Sequence, residues 1–110
     1  MDNQNYQNKQ AQYGKTILTT DAVVLRGGDV LLITRGRGAH VGKYALPGGK
    51  VDYNEDPEDT CLRELFEETG IQGESITLAA VKGAPGRDPR GHFVTIVYRV
   101  TTTEDAVPKG

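Results

Sequence analysis

The stretch DPEDTCLRELFEETG, residues 56 to 70, carries the signals for both of its own ends. It constrains the fold more than any other feature of the chain. Asp56 suits an N-cap, where its carboxylate accepts a backbone N–H that the first turn leaves unpaired. Pro57 suits the first helical position, because the donor it lacks would have had no partner there. Gly70 suits the left-handed residue that closes a helix. The sequence therefore predicts one helix between Asp56 and Thr69. By the helical period Cys61, Leu62, Leu65 and Phe66 form an apolar side that can pack on a sheet, and Glu64, Glu67 and Glu68 gather on the other side.

Strand-like runs flank this helix. Residues 17 to 25 are rich in β-branched side chains, RGGD offers glycines for a tight hairpin turn, and residues 30 to 35 read as the returning strand. A glycine-rich loop follows, with a short bridge expected at Tyr44 to Leu46. Residues 76 to 82 predict a further strand. APGRDPRG reads as a loop, and HFVTIVYRVTT as the clearest strand. Phe93, Thr95, Val97 and Arg99 fall on one of its faces, and Val94, Ile96, Tyr98 and Val100 on the other. Residues 1 to 14, rich in Asn and Gln, are expected to form a flexible tail that Tyr6 and Tyr13 could tack down. Residues 15 to 110 are expected to form one α/β domain.

Composition narrows the function. The net charge of −2 leaves no basic footprint, so no nucleic acid is expected as a partner. The lone Cys61 has no partner for an internal disulfide, which points to a reducing compartment. No apolar run is long enough to span a bilayer and no secretory signal is visible, so no membrane partner is expected and the location expected is cytoplasmic.

Residues 46 to 71 hold eight carboxylates, with only Lys50 and Arg63 to offset them. Glu64 and Glu68 stand four residues apart, where like charges cost roughly 0.2–0.5 kcal/mol on an isolated helix. The helix dipole disfavours them further. Two readings follow from the residues themselves. The glutamates form a solvated acidic face, or they ligate a divalent cation with hard oxygen donors.

The spacing bears on that choice. Gly49, Glu55, Arg63-Glu64-Leu65, Glu67-Glu68, Gly70 and Ile71 fill every fixed place of G-x5-E-x7-R-E-U-x-E-E-x-G-U, where U is bulky and apolar. This resembles the Nudix box, the signature of the Nudix hydrolases. The resemblance implies an α/β/α sandwich around a mixed sheet, and metal-assisted hydrolysis of a nucleoside diphosphate linked to another moiety. It implies Mg²⁺ or Mn²⁺ held by Glu64, Glu67, Glu68 and the Gly48 carbonyl. It also implies a catalytic set of Glu64, Glu67 and Arg63, with Arg63 paired to Glu55 so as to orient the metal-binding face. Nudix domains usually continue with more sheet and a helix, whereas TTTEDAVPKG trails off. A short variant, a fragment, and a subunit completed by a partner, including a homodimer, are the alternatives this raises.

RDPRG, residues 87 to 91, precedes the last strand and is similar to a segment of ADP-ribose pyrophosphatases. Arg87 and Arg90 are candidates for forked, charge-assisted bonds to phosphate, and Arg35 and Arg37 are further candidates. The bland alternative is a proline-stiffened turn with solvated arginines. Asp88 can pair with either arginine of its loop. The expected substrate is thus a nucleotide sugar or another nucleoside diphosphate derivative, with ADP-ribose first, cleaved to AMP and ribose 5-phosphate. Alternatives are a housecleaning hydrolase of nucleoside triphosphates and a non-catalytic nucleotide-sugar sensor.

Overall fold

The computed structural model of the chain describes residues 14–34 and 42–103. Its strands are β1 (Ile17–Val23), β2 (Leu25–Arg26), β3 (Asp29–Val30), β4 (Ile33–Thr34), β5 (Tyr44–Ala45), β6 (Gly48–Lys50), β7 (Ser75–Lys82) and β8 (Phe93–Thr101). The helix α1 spans Pro57–Thr69. The main sheet has the order β6-β1-β8-β7. β1 and β8 run parallel, and the other two pairings are antiparallel, so the sheet is mixed.

The helix ends where its local chemistry requires. Asp56 is extended and its Oδ1 accepts the Glu58 amide at 2.8 Å, while Gly70 closes the helix at φ 76°. The two-glycine turn at Gly27 and Gly28, both at positive φ, joins β2 to β3. The expected long strands around it are shorter than the sequence suggests. β1 stops at Val23, and the described part of the expected returning strand, residues 30 to 34, is not one strand, because β3 pairs with β2 whereas β4 pairs with β5. The short bridge expected at Tyr44 is that β4–β5 pairing.

Because side chains alternate along β1 and β8, one face of the sheet meets α1. Ala22, Val24, Cys61, Leu65, Ile71, Tyr98 and Val100 are buried together there, with Leu31, Leu62, Ile76 and Ile96 packed against them. The helix is turned differently from its apolar stripe. Its buried residues are Thr60, Cys61, Leu65 and Thr69, while Phe66 is 56% exposed. The threonines are buried at little cost because their hydroxyls are satisfied locally. Thr69 donates to the Leu65 carbonyl at 2.6 Å and accepts the Ile71 amide at 3.1 Å. Thr60 donates to Glu55 Oε1 at 2.7 Å. This rotation carries Glu64 and Glu68 toward β6 instead of leaving them in solvent. Among the described residues α1 is the one helix, so one helical layer of the expected sandwich is seen. No helix among these residues is long and apolar enough to cross a membrane.

Candidate active site

The site begins with two glycines on β6. Gly49 pairs with Thr20 and turns its Cα toward α1, where a Cβ would lie 2.6 Å from the Glu64 carboxyl carbon. Glu64 is therefore seated directly against backbone. Gly48 donates its N–H to Glu68 Oε1 at 3.0 Å. A Cβ at Gly48 would stand 2.0 Å from the Thr20 carbonyl oxygen. Glycine at 49 gives the Glu64 carboxylate its seat, and glycine at 48 lets β6 lie against β1.

Arg63 organises that face. Its Nε and Nη2 form a fork on Glu55, at 2.8 and 3.0 Å. Its Nη1 reaches Glu64 Oε1 at 3.0 Å and Glu67 Oε2 at 3.3 Å, and Nη2 reaches Asp52 at 3.4 Å. Hydrogen bonds from Arg63, then from the Thr60 hydroxyl, bring the Glu55 carboxyl down to about 2. The same bond to Glu55 raises the Arg63 guanidinium further above its ordinary value.

Beside this face lies a cleft of about 510 Å³. Glu68, Gly48, Gly49 and Lys50 line one part of it. Thr19 and Asp21 of β1, with Phe93 and Thr95 of β8, line another, and Arg87, Asp88 and Arg90 of the β7–β8 loop complete it. Asp88 chooses Arg90, whose Nε and Nη2 lie 3.1 and 2.8 Å from its two oxygens. The Arg90 guanidinium also stands 4.9 Å from the Phe93 ring centroid. Arg87, itself exposed, reaches the sheet instead, giving Nη2 to the carbonyls of Lys82 and Phe93 and to Thr95 Oγ1. His92 bridges the Gly83 carbonyl and the Thr16 hydroxyl at the strand edge.

The NUDIX domain family model matches residues 15–110, nearly the whole chain. The chain belongs to the Nudix family. It is 37% identical over 90 residues to the ADP-ribose pyrophosphatase of Methanocaldococcus jannaschii, covering 82% of this chain and 53% of that protein. It is 34% identical over 98 residues to the ADPR responsive transcriptional repressor NtrR of Acinetobacter baylyi, covering 84% of this chain and 39% of the repressor. The chain thus spans about half, or less, of the length of these curated relatives. Among solved structures, a MutT/nudix family protein from Enterococcus faecalis matches with a TM-score of 0.80 and 34% identity, over 100% of this chain and 48% of that one. The NUDIX domain of Shewanella oneidensis NrtR, solved with ADP ribose, matches with a TM-score of 0.76 and 31% identity, over 96% and 74%.

In this Nudix domain the oxygen donors are of the kind a hard divalent cation takes. Glu64 and Glu67 already converge on one cationic nitrogen, Arg63 Nη1. Glu68 lies apart from them on the Gly48 amide, so among the described residues no three acidic, His or Cys side chains surround one point. Gly48, expected to offer its carbonyl, is seen offering its N–H. The expected ligand set therefore shares one face without forming a finished cage.

The Nudix domain brings together Glu64, Glu67, Arg63 and Glu55, and places Glu68, Gly48, Arg87 and Arg90 on one cleft. Arg35 and Arg37 lie outside the described residues. Sequence reasoning missed Thr19, Asp21, Phe93 and Thr95 as cleft residues. Thr95 and Phe93 were legible as one face of β8, but nothing in the spacing says which element that face meets. It also missed Asp52, which occupies a free place of the box yet touches Arg63.

Proposed function

We propose that this domain hydrolyses a nucleoside diphosphate linked to a second moiety, with ADP-ribose the leading substrate, giving AMP and ribose 5-phosphate. The observation that carries this reading is the meeting of two opposite charges in one cleft. Glu68 of the acidic box lines the same cleft as Arg87 and Arg90 of the loop. The likeness to the ADP-ribose pyrophosphatase of M. jannaschii supports the choice of substrate.

A bound Mg²⁺ or Mn²⁺, held by Glu64, Glu67 and Glu68 with Gly48, would neutralise diphosphate charge and make water a better nucleophile. The chain's residues do the rest. Glu55 holds Arg63, and Arg63 holds Glu64 and Glu67 in register. Lys50, Arg87 and Arg90 supply positive charge along the diphosphate. Water adds to one phosphorus, the P–O bond to the bridging oxygen breaks, and that oxygen leaves with the other phosphate. The proton lost by water passes to a carboxylate, with Glu64 and Glu67 as the candidates. The lone Cys61 accords with a cytoplasmic setting.

A second reading is a sensor that binds ADP-ribose without cleaving it. The likeness to the ADPR responsive repressor favours it. Chromatographic detection of AMP from ADP-ribose, with Mg²⁺ or Mn²⁺ and with chelator, for wild type and Glu68→Gln, separates the two. Metal-dependent AMP that E68Q abolishes is expected. Binding with no AMP under either metal establishes the sensor, and neither binding nor turnover sinks both.

A further inference from the structure

Every side-chain hydrogen bond of Arg87 to a described residue leaves from Nη2. It goes to Thr95 Oγ1 at 3.0 Å, the Phe93 carbonyl at 3.2 Å and the Lys82 carbonyl at 3.3 Å. These acceptors sit at the start of β8 and the end of β7, which pair in the sheet, and two of the three are backbone carbonyls. The nearest acceptor is the one side chain of the three, and it is 6% exposed. Behind it, Thr19 Oγ1 lies 2.7 Å from Thr95 Oγ1, because parallel pairing of β1 with β8 sets these residues side by side. A hydroxyl chain thus runs from β1 through β8 to the guanidinium. Such chains strengthen their members by mutual polarisation.

A guanidinium anchored through one nitrogen keeps its Nε–H and both Nη1 hydrogens for another acceptor, in a plane that is already set. Arg87 lines the cleft in which the diphosphate is proposed to lie. We propose that Thr95, backed by Thr19, is a positioning residue that aims the free Nη1 hydrogens of Arg87 at the substrate's diphosphate. This rests on the reading of Arg87 as a phosphate ligand given above. Holding the guanidinium in advance removes the ordering that a free arginine would undergo on binding, so its effect falls on affinity.

The test uses the full chain with ADP-ribose as probe. Calorimetry in chelator gives Kd without turnover, and steady-state assays with Mg²⁺ give KM and kcat. Arg87→Gln is expected to weaken ADP-ribose about tenfold or more. Thr95→Val keeps the shape and removes the hydroxyl, and is expected to weaken it roughly threefold to tenfold, on KM more than on kcat. Thr95→Ser restores affinity, and Thr95→Val adds nothing in an Arg87→Gln background. Thr19→Val breaks the same chain from its far end and carries the test if the Thr95→Val protein melts early. An unchanged Kd for Arg87→Gln overturns the phosphate-ligand reading and the proposal with it. A weakened Arg87→Gln beside an unaffected Thr95→Val, or effects that multiply in the double variant, overturns the positioning role alone.

Discussion

Two adjacent glycines give a sharp contrast. Neither Gly48 nor Gly49 has positive φ, so alanine is permitted by backbone conformation at both, and space alone decides. At Gly49 the added Cβ would meet the Glu64 carboxylate, with Cδ at 2.6 Å and the oxygens at 2.7 and 2.9 Å. Ordinary contact begins at 3.4 Å, so the carboxylate has to retreat by about 0.8 Å. It is the far end of a flexible side chain, so the fold absorbs this within about 1 kcal/mol, helped by the reduced freedom of the unfolded chain. The site does not absorb it, since a shift near 1 Å in a catalytic group costs on the order of a hundredfold in rate. At Gly48 the Cβ would stand 2.0 Å from the Thr20 carbonyl oxygen, which is β1 backbone. That strand cannot move without breaking the sheet, so Gly48→Ala should lose about 3 kcal/mol. Urea unfolding, AMP release and calorimetric titration with Mg²⁺ on both variants give the measurement. Gly49→Ala should melt like wild type yet lose Mg²⁺ affinity and turnover, whereas Gly48→Ala should unfold early. Equal destabilisation of the two variants, or a Gly49→Ala protein with full Mg²⁺ affinity and activity, would refute the reasoning.

Other expectations follow from single groups. The Glu55 carboxyl is held at about 2 against 4.5 when free, so its stabilising contribution is complete above pH 4.5 and is lost as pH falls toward 2. Glu55→Gln should remove that acid-dependent part, and parallel unfolding curves for variant and wild type between those pH values would contradict it. Asp56→Ala removes the N-cap and should cost about 1 kcal/mol in chemical denaturation. Leu65→Ala, at a fully buried position of α1, should cost roughly 2–5 kcal/mol. Burial pushes the Cys61 thiol up to about 12, so it should react with a disulfide reagent at pH 8 only after unfolding, and rapid reaction of the native protein would argue against a closed core.

The helix was legible because its determinants are local. Asp56, Pro57 and Gly70 act on backbone groups within a turn of themselves, and the structure has the cap, the start and the stop where these residues put them. The fork between Arg63 and Glu55 was legible through the motif, whose spacing already encodes one helical approach. The rotation of α1 was not. Leu62 and Phe66 looked like packing residues, yet Phe66 faces outward while Thr60 and Thr69 are buried. An apolar stripe counts carbon, whereas burial here turns on whether a threonine hydroxyl finds a nearby acceptor and whether a glycine leaves room for a carboxylate.

Local sequence was enough to place the helix and its ends, the turn at Gly27–Gly28, the alternation along residues 93 to 101 and the acidic motif. All of these are written in the pattern of neighbouring residues. Three contacts came from the assembled fold: Glu68 sits on the Gly48 amide, Asp88 takes Arg90 while Arg87 reaches the sheet, and Thr19 stands beside Thr95. The first and last of these contacts join residues 20 and 76 positions apart. They exist because β1 pairs antiparallel with β6 and parallel with β8, and strand register is a property of the assembled sheet that no short stretch of sequence contains.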